Sequence, residues 1–434
     1  MFWGDVYLSP IMEIRQNHIK KDLSPNIMFV DMNSFFATCE QQVNYYLRNR
    51  PVAVCVYPGK YGCVIAPSIE AKKKGIKLGM RLNEAMQICP ELIPLETHPN
   101  RYREFHKQIM DVLRKYSEDV IPKSIDEAVV NFSAYKLVHK DLVQVALQIK
   151  EDIRNEVGDY MKCSIGIAPN AFLAKLGSDI QKPDGLTIIS PDNIDDILSK
   201  LTLTDLPGIA KAMAMKLKLA GIHTPLQLRN TPAEKLKEAC HSIVGIYWHY
   251  RLNFSEVDFS THDYKSMQAM RQISASQRKN VKMLDDLLVS LCTTLEKRMV
   301  KQDVYAKDIQ FTARYENGVY YKEHFNCEKN PVQDAMKIIQ LIKGRMENFQ
   351  KANHSEPVIN TQMNMMGVNV FNFIPSCALQ YDILENNVQQ HHLRKTMYDI
   401  KKKFGNDSIL KAAELQEVEV YKDAIGFGSV KHLY

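Results

Sequence analysis

Short apolar runs alternate with amphipathic, helix-like patterns over the first 185 residues. The apolar or β-branched runs predict strands at 27–30 and 51–57, a strand pair within 120–132, and a strand at 162–167. Apolar positions spaced three and four residues apart predict helices at 34–47, 101–116, 142–157 and 171–180. Residues 62–90 predict a short strand followed by a basic helix and a second helix. Such alternation predicts an α/β or α+β unit.

The pattern changes after residue 185. Residues 192–258 predict short helices joined by tight turns, and residues 263–370 predict the order strand, helix, strands, helix, strand. Asn317-Gly318 separates two alternating runs there, and Asn-Gly is a strong hairpin signal. The polar tail after Ser376 predicts one helix, at residues 392–404.

Composition narrows the class of protein. A chain of 434 residues is too long for one hydrophobic core, and 45% hydrophobic with 24% charged residues is typical of globular protein. The nine cysteines include no C-x-x-C pair, which disfavours a zinc site or a disulfide framework and favours a reducing cytoplasm. No apolar run reaches the roughly 20 residues of a membrane span, and the first residues lack the pattern of a signal peptide. The net charge of +6 is compatible with nucleic acid but also with many other partners.

Acidic residues stand at the ends of two predicted strands. Asp31 ends the run 27–30, and Asp126-Glu127 lies between the strands of 120–132. Taken singly, Asp31 fits a helix N-cap and the pair fits a solvated turn. Taken together, three acids at one sheet edge would repel each other unless cations lay between them. Oxygen ligands suit Mg²⁺, and paired ions about 4 Å apart serve phosphoryl transfer, so the acids predict a two-metal site.

The motifs around these acids resemble those of Y-family translesion DNA polymerases. They are "FVDMNSFFATCE" (29–40), "GCVIAPSIEAKKKGIKLGM" (62–80), "YSEDVIPKSIDEA" (116–128) and "SIGIAPNAFLAKLGSDIQKPDG" (164–185). The resemblance covers residues 26–370, and the motifs are closer to the UmuC branch than to the DinB branch. It implies an α+β, multidomain right-hand polymerase with a ferredoxin-like palm, small fingers, a helical thumb and an α/β little finger.

The resemblance also implies domain boundaries. We expect an N-terminal extension at 1–25, a palm at 26–185 with fingers inserted at about 36–95, and a thumb at 186–262. A little finger at 263–372 and a flexible tail at 373–434 follow. This tail contains "ALQYDIL" (378–384), which resembles a clamp-binding peptide with Gln380, Tyr381, Ile383 and Leu384 as its contacts.

In the palm, the resemblance assigns catalytic and metal-binding roles to Asp31, Asp126 and Glu127, with the Met32 carbonyl as a further metal ligand. Phe36 matches the steric gate that rejects a 2′-hydroxyl. Phe35 is expected in the nucleotide-binding region but facing the core. Lys182 matches the lysine that contacts the triphosphate, whereas Lys175 is expected to support its helix or contact nearby backbone. The first-turn amides of helix 34–47 are expected to bind triphosphate oxygens as well.

The sequence departs from the family pattern at two places. Ile69 and Lys72 stand where DinB-like sequences carry a phosphate-gripping Tyr and Arg, and lysine offers a point charge instead of a planar fork. "LPGIAKAMAMKLKLAGI" (206–222) resembles the thumb's helix-hairpin-helix, but Ala210 replaces its second Gly. We expect Gly208 and Lys211 to contact DNA there, and Arg271, Arg278 and Lys279 to contact phosphates from the little finger.

These features predict template-directed, low-fidelity translesion synthesis with two Mg²⁺ ions, primer–template DNA and a dNTP. A sliding clamp is expected as a partner, the same resemblance allows a UmuD-like partner, and no membrane is expected to be involved. Two alternatives stay open. A nucleotidyl cyclase also has strand-end acids but lacks a thumb and a duplex-binding half. A catalytically impaired relative acting as a DNA-damage accessory factor would not need the complete set of acids and Lys182.

Overall fold

The computed structural model describes residues 23–59, 62–259, 265–275, 277–354, 356–380, 387–405 and 408–412. They divide into two units, one up to residue 259 and the other from residue 265 onward. None of the helices within these ranges combines the length and the apolar character that crossing a membrane requires.

The first unit contains eight strands and eleven α-helices among its described residues. The strands are β1 (Ile27–Met32), β2 (Val52–Cys55), β3 (Val64–Pro67), β4 (Ile93–Glu96), β5 (Val120–Pro122), β6 (Glu127–Asn131), β7 (Cys163–Ala168) and β8 (Leu186–Ile188). The helices are α1 (Phe35–Val43), α2 (Ile69–Lys73), α3 (Leu82–Ile88), α4 (Pro99–Arg114), α5 (Leu142–Asp152), α6 (Ala171–Ile180), α7 (Ile194–Ser199), α8 (Lys211–Leu219), α9 (Pro225–Asn230), α10 (Ala233–Cys240) and α11 (Val244–Leu252).

A five-stranded sheet forms the centre of this unit. Its order is β5-β6-β1-β7-β8, with β1 antiparallel to both neighbours and β8 parallel to β7. The succession β1, α4, β5, β6, α5, β7 is that of a ferredoxin-like fold. Met28 and Val30 of β1 face the core with α4 and α5, whereas Ile27 and Phe29 face the core with α6. Both faces of β1 are covered, which explains its continuous apolar run.

Two smaller groups of elements complete the first unit. A three-stranded sheet of order β3-β2-β4 shares a core with α2 and α3 through Ala71, Leu82 and Ala85. Helices α7 to α11 enclose an apolar centre that includes Leu217 and Trp248. These short helices match the pattern expected for residues 192–258.

Two predicted helices are shorter than expected because the backbone changes its winding. The helix predicted at 34–47 ends at Val43, and Asn44 accepts a bond from Tyr46 N to start a 3₁₀ turn. The helix predicted at 142–157 ends at Asp152 and continues as a π-helical turn, Ile153–Val157, which stops at Gly158.

Among its described residues, the second unit has a four-stranded sheet and three long helices. Its elements are β9 (Ser266–Gln272), α12 (Val281–Lys301), β10 (Val304–Tyr315), β11 (Tyr320–Asn326), α13 (Ala335–Asn353), β12 (Met363–Pro375) and α14 (Asn387–Phe404). The antiparallel order is β11-β10-β12-β9, and α12 and α13 share one core with the sheet. Gly318 has φ 81°, and the β10–β11 hairpin turns at Asn317-Gly318 as predicted.

Part of the expected flexible tail is packed onto this second unit. The 8%-exposed Arg394 of α14 donates to Gln333 and to the Tyr305 hydroxyl. Lys411 lies 2.7 Å from the fully buried carboxylate of Glu296. The expectation of a flexible segment therefore does not hold around α14, because cations there compensate acids that the sheet and helices bury.

Candidate active site

Two acids lie side by side where strands β1 and β6 meet. The antiparallel register pairs Asp31 of β1 with Glu127 of β6. Side chains alternate along a strand, so Asp31 lies on the face of Ile27 and Phe29, which packs against α6. Asp31 is only 5% exposed. The strand-end carboxylate is thus covered by a helix and has a second carboxylate beside it.

Asp126 brings a third carboxylate to the same pocket. It precedes β6, and its backbone carbonyl accepts a hydrogen bond from Met32 N at 2.9 Å. Its side chain accepts from the Ser124 hydroxyl. Burial raises the pKa of Asp126, and the negative charge of Asp31 raises it further. The pocket wall includes all three acids, which the sequence predicted to lie close together.

Two lysines lie among these acids. Lys175 of α6 donates to Asp31 and Glu127, and its Nζ lies 3.5 Å from Asp179. Lys182, in the loop after α6, lies 2.8 Å from Asp31 Oδ1 and 2.8 Å from Asp179. Burial of Asp31 would raise its pKa, but the two lysines hold that pKa below its ordinary value.

Lys175 is a site residue that the sequence reasoning placed elsewhere. The sequence predicts that it supports its helix, whereas its amino group joins the two acids that the register pairs. A lysine between Leu173-Ala174 and Leu176, in a helix otherwise apolar at its centre, is the signal that could have found it. A charge there is rarely buried unless it is paired.

Close packing of α6 on β7 brings Lys175 to the acids. A Cβ at Gly166 of β7 would overlap the carbonyl oxygen of Ala174, and a Cβ at Gly177 would lie 3.2 Å from the Cα of Gly166. Helix and strand backbones therefore touch where both residues are glycine. This contact sets the height of α6 above the neighbouring strand β1.

Gly166→Ala is expected to lower the free energy of unfolding by about 1–3 kcal/mol, because the added methyl must push α6 away from β7. Hydrogen–deuterium exchange over residues 163–180, with the thermal unfolding midpoint, measures this effect. Gly344→Ala is the control, since a Cβ there meets nothing within 4 Å. Equal behaviour of the two variants would contradict the close-packing argument.

Two adjacent aromatic rings form part of the pocket wall. Both Phe35 and Phe36 are buried, and both line the pocket. The Phe36 ring stacks on Tyr102 of α4 with centroids 4.5 Å apart, and the Tyr102 hydroxyl donates to Glu40 at 2.8 Å. Phe35 lies in the core, as expected, and it also contacts the pocket that the sequence assigned to the nucleotide.

The start of α1 opens onto the same pocket. Ser34, the N-cap, has φ 51° and ψ 43°, the left-handed region that a residue other than Gly rarely adopts. Its hydroxyl makes no capping bond, so within this helix the first-turn amides receive no acceptor from the cap side chain. Free first-turn amides attract anions.

Comparison with known proteins identifies the family. The profile of the impB/mucB/samB family matches residues 30–179, and that of its C-terminal domain matches residues 264–383. DNA polymerase IV of Pelotomaculum thermopropionicum is 28% identical over 412 residues, covering 94% of this chain and 99% of the relative. DNA polymerase IV of Streptococcus agalactiae serotype Ia is 30% identical over 331 residues, covering 69% and 89%. The chain belongs to the Y family of DNA polymerases.

Solved structures show the same fold. A chimaera of the Y-family polymerases Dbh and Dpo4 superimposes with a TM-score of 0.65 at 23% identity, covering 80% of this chain and 99% of that one. An insertion ternary complex of Dbh DNA polymerase gives a TM-score of 0.55 at 24% identity, with the same coverage. The predicted right-hand architecture and DNA-directed DNA polymerase class are confirmed. Closeness to the UmuC branch stays a prediction, since both relatives are named DNA polymerase IV.

The fingers of this Y-family polymerase contribute α2 to the pocket. Ile69 and Lys72, the two departures from the DinB-like pattern, both line it, together with Lys73 and Leu78, which the sequence reasoning did not single out. Burial lowers the pKa of Lys72, and the charge of Lys182 lowers it further. Keeping the Lys72 amino group charged is costly in this position. An anionic ligand would stabilise that charge and would therefore be favourable here.

The remaining predicted DNA contacts lie outside this pocket. Gly208 has φ 84° and Lys211 is exposed at the first position of α8. In the second unit, Lys279 is exposed, whereas Arg278 forms an ion pair with Glu316. Arg271 is exposed near the end of β9, on the strand face that carries the core residues Met267 and Ala269.

Of the predicted clamp-binding residues, the structure describes Gln380, which is exposed after β12. Tyr381, Ile383 and Leu384 lie outside the described residues. The expected N-terminal extension lies almost wholly outside them as well.

Proposed function

We propose that this polymerase performs template-directed, low-fidelity translesion synthesis, transferring a nucleotide from a dNTP to a primer 3′-hydroxyl. The observation that carries the proposal is the convergence of Asp31, Asp126 and Glu127 with two lysines in one pocket, which Phe36 also lines. One structural neighbour is an insertion ternary complex of Dbh DNA polymerase, which supports a primer–template and a nucleotide as ligands.

The acids suit two Mg²⁺ ions by their chemistry. Within the described ranges, no three His, Cys, Asp or Glu side chains are placed to enclose a metal ion as they stand, and Lys175 bridges two of the acids. Burial nevertheless raises the pKa of Glu127 to about 7, against the opposing charge of Lys175, so the negative charge is incompletely compensated. Additional positive charge would be favourable at this edge.

Asp31, Asp126, Glu127 and the Met32 carbonyl would hold the ions. When bound, magnesium stabilises the charge on the attacking and leaving oxygens. The protein's own part is to place the reacting groups. Lys182 and Lys72 offer cations to the triphosphate, and the α1 amides offer N–H donors.

Phe36 serves as the sugar gate in this proposal. Its ring is backed by Tyr102, so it cannot retreat into the core when a sugar carrying a 2′-hydroxyl enters. Low fidelity follows from the fingers, whose helices α2 and α3 have five and seven residues and whose pocket-lining side chains include Ile69 and Leu78 instead of large aromatic rings. Such a small surface checks the shape of the new base pair weakly.

Primer extension on undamaged and abasic templates with Mg²⁺ tests the proposal. Addition opposite the lesion, with frequent misinsertion on the undamaged template, is the expected result. DNA binding without addition would instead favour the catalytically impaired accessory factor.

We also propose that Gln380, Tyr381, Ile383 and Leu384 bind a sliding clamp. Replacing Gln380, Ile383 and Leu384 with Ala should leave single-nucleotide addition unchanged and remove the clamp's stimulation of long extension, because a tether raises local concentration without altering chemistry. Leu393→Ala, which removes an exposed side chain of α14, is the control. Clamp stimulation that survives the triple substitution would contradict the proposal. A UmuD-like partner stays a prediction.

A further inference from the structure

An ion network with a buried lysine lies behind the loop that carries Lys182. Lys150 of α5 is only 7% exposed, although lysine is almost never buried without a partner. Its Nζ lies 2.6 Å from the Asp184 carbonyl oxygen and 3.1 Å from Asp184 Oδ1. Arg154, one helical turn further on, donates to Asp184 Oδ2 at 2.6 Å. Two cations from one helical segment therefore hold a single carboxylate.

The same loop is tied to the end of strand β1. The backbone N–H of Asp184 donates to Asn33 Oδ1 at 2.7 Å, and Asn33 donates to the Ser164 hydroxyl at 3.0 Å. Gly185 N donates to that hydroxyl at 3.2 Å. Asn33 comes two residues after Asp31. These hydrogen bonds therefore link the end of the strand that carries Asp31 to the loop that carries Lys182.

Asp184 is the point where these contacts meet. Its φ is 60°, a conformation that is unfavourable for most residues and tolerated best by Gly, Asn and Asp. Lys182 and Pro183 line the pocket, whereas Asp184, Lys150 and Arg154 are not part of its wall. The network can therefore influence the pocket through the position of the loop, and through Asn33, which also lines the pocket.

Burying the Lys150 ammonium is costly, and an apolar side chain of similar volume would often be at least as stable. The ion pairs instead fix the position of the loop backbone, because charged hydrogen bonds are strong and specific in geometry. The backbone held here is that of residues 182–185. Lys182 is the side chain on this loop that reaches Asp31.

We propose that Asp184 is a positioning residue that, held by Lys150 and Arg154, keeps Lys182 aimed at the triphosphate of the incoming nucleotide. This inference rests on the proposed role of Lys182. It assigns to the α5 side of the palm a part in nucleotide affinity, although neither Lys150 nor Arg154 touches the pocket.

Steady-state nucleotide addition at saturating primer–template tests it, with KM for dNTP and kcat measured separately. Asp184→Ala is expected to raise KM roughly tenfold while kcat changes less, because a displaced charge loses about 1.4 kcal/mol of binding. Lys182→Ala should raise KM at least as much. The double variant should be no worse than Lys182→Ala alone, because the network acts through that lysine.

Two further variants keep the test valid if Asp184→Ala folds poorly. Asp184→Asn keeps the tolerated backbone conformation and the hydrogen bond that the backbone N–H donates to Asn33 Oδ1, but it loses the charge, so it should raise KM by an intermediate factor. Arg154→Gln removes one cation from a side chain that is 37% exposed and should raise KM in the same direction. Asp258→Asn is the matched control, since Asp258 is 25% exposed and also pairs with an arginine, Arg251. It should leave KM unchanged.

The outcomes separate the two ideas. If Lys182→Ala leaves KM unchanged, the proposed role of Lys182 fails, and this inference fails with it. If Lys182→Ala raises KM while the Asp184 and Arg154 variants do not, the positioning inference alone is overturned. If Asp184→Ala raises KM further in the Lys182→Ala background, Asp184 acts by another route and the inference is also overturned.

Discussion

Asp31→Ala or Asp126→Ala is expected to slow nucleotide addition by about 1000-fold or more, since metal-ion catalysis supplies several kcal/mol and each 1.36 kcal/mol is a factor of about ten. Both carboxylates lie at the strand ends where the ions would bind. DNA affinity should change little, because phosphate contacts elsewhere supply it. Single-turnover addition and fluorescence anisotropy on a labelled primer–template measure the two quantities.

Asp179→Ala is the matched control for this experiment. Asp179 contacts the same two lysines as Asp31 but lies on α6, away from the strand ends. It should reduce the rate less than tenfold. Extension by Asp31→Ala or Asp126→Ala at the rate of the unsubstituted enzyme would show that these acids are not metal ligands.

Phe36→Ala is expected to admit ribonucleotides with little loss of deoxynucleotide use. Removing a steric overlap recovers about 1–3 kcal/mol for the excluded substrate, a factor of roughly ten to a hundred in selectivity. Attractive contacts to the deoxynucleotide are untouched. The ratio of kcat/KM for dNTP and rNTP measures the change.

Stability needs its own control here, because Phe36 is also part of the palm core. Phe35→Ala removes a ring of equal size that is buried next to it. It should lower stability and keep sugar discrimination, while Phe36→Leu should relax discrimination with less damage to the core. If Phe35→Ala and not Phe36→Ala admits ribonucleotides, the gate is Phe35.

Much of the site could be predicted from local sequence. The run ending at Asp31 and the Asp126-Glu127 pair between two strands both fall at the sheet edge where the structure places them. The reason is that strand alternation and turn residues act over a few positions. A carboxylate that directly follows an apolar run therefore lies at the end of the strand that the run forms.

Other features could not be predicted because they depend on partners distant in the chain. Lys175 reaches Asp31 across 144 residues, and the glycine contact between β7 and α6 sets that distance. Arg278, predicted to contact phosphate, is paired with Glu316. The segment around α14, predicted to be part of a flexible tail, is held by Arg394 and Lys411 on acids that lie far earlier in the chain.

Apolar period and turn chemistry are local, so the sequence predicted most strands and helices and placed the three acids at strand ends, while the ferredoxin-like palm followed from the family motifs. Strands β4 and β8 were not predicted. Which cations compensate the acids, and which charges are buried, depends on the folded arrangement. Coulomb energies depend on the distance between charges, and desolvation energies depend on their exposure. The spacing of residues along the chain specifies neither the distance nor the exposure. Lys150 shows this best: in the sequence it is one lysine of a helix, and in the fold it is a buried cation behind the loop that carries Lys182.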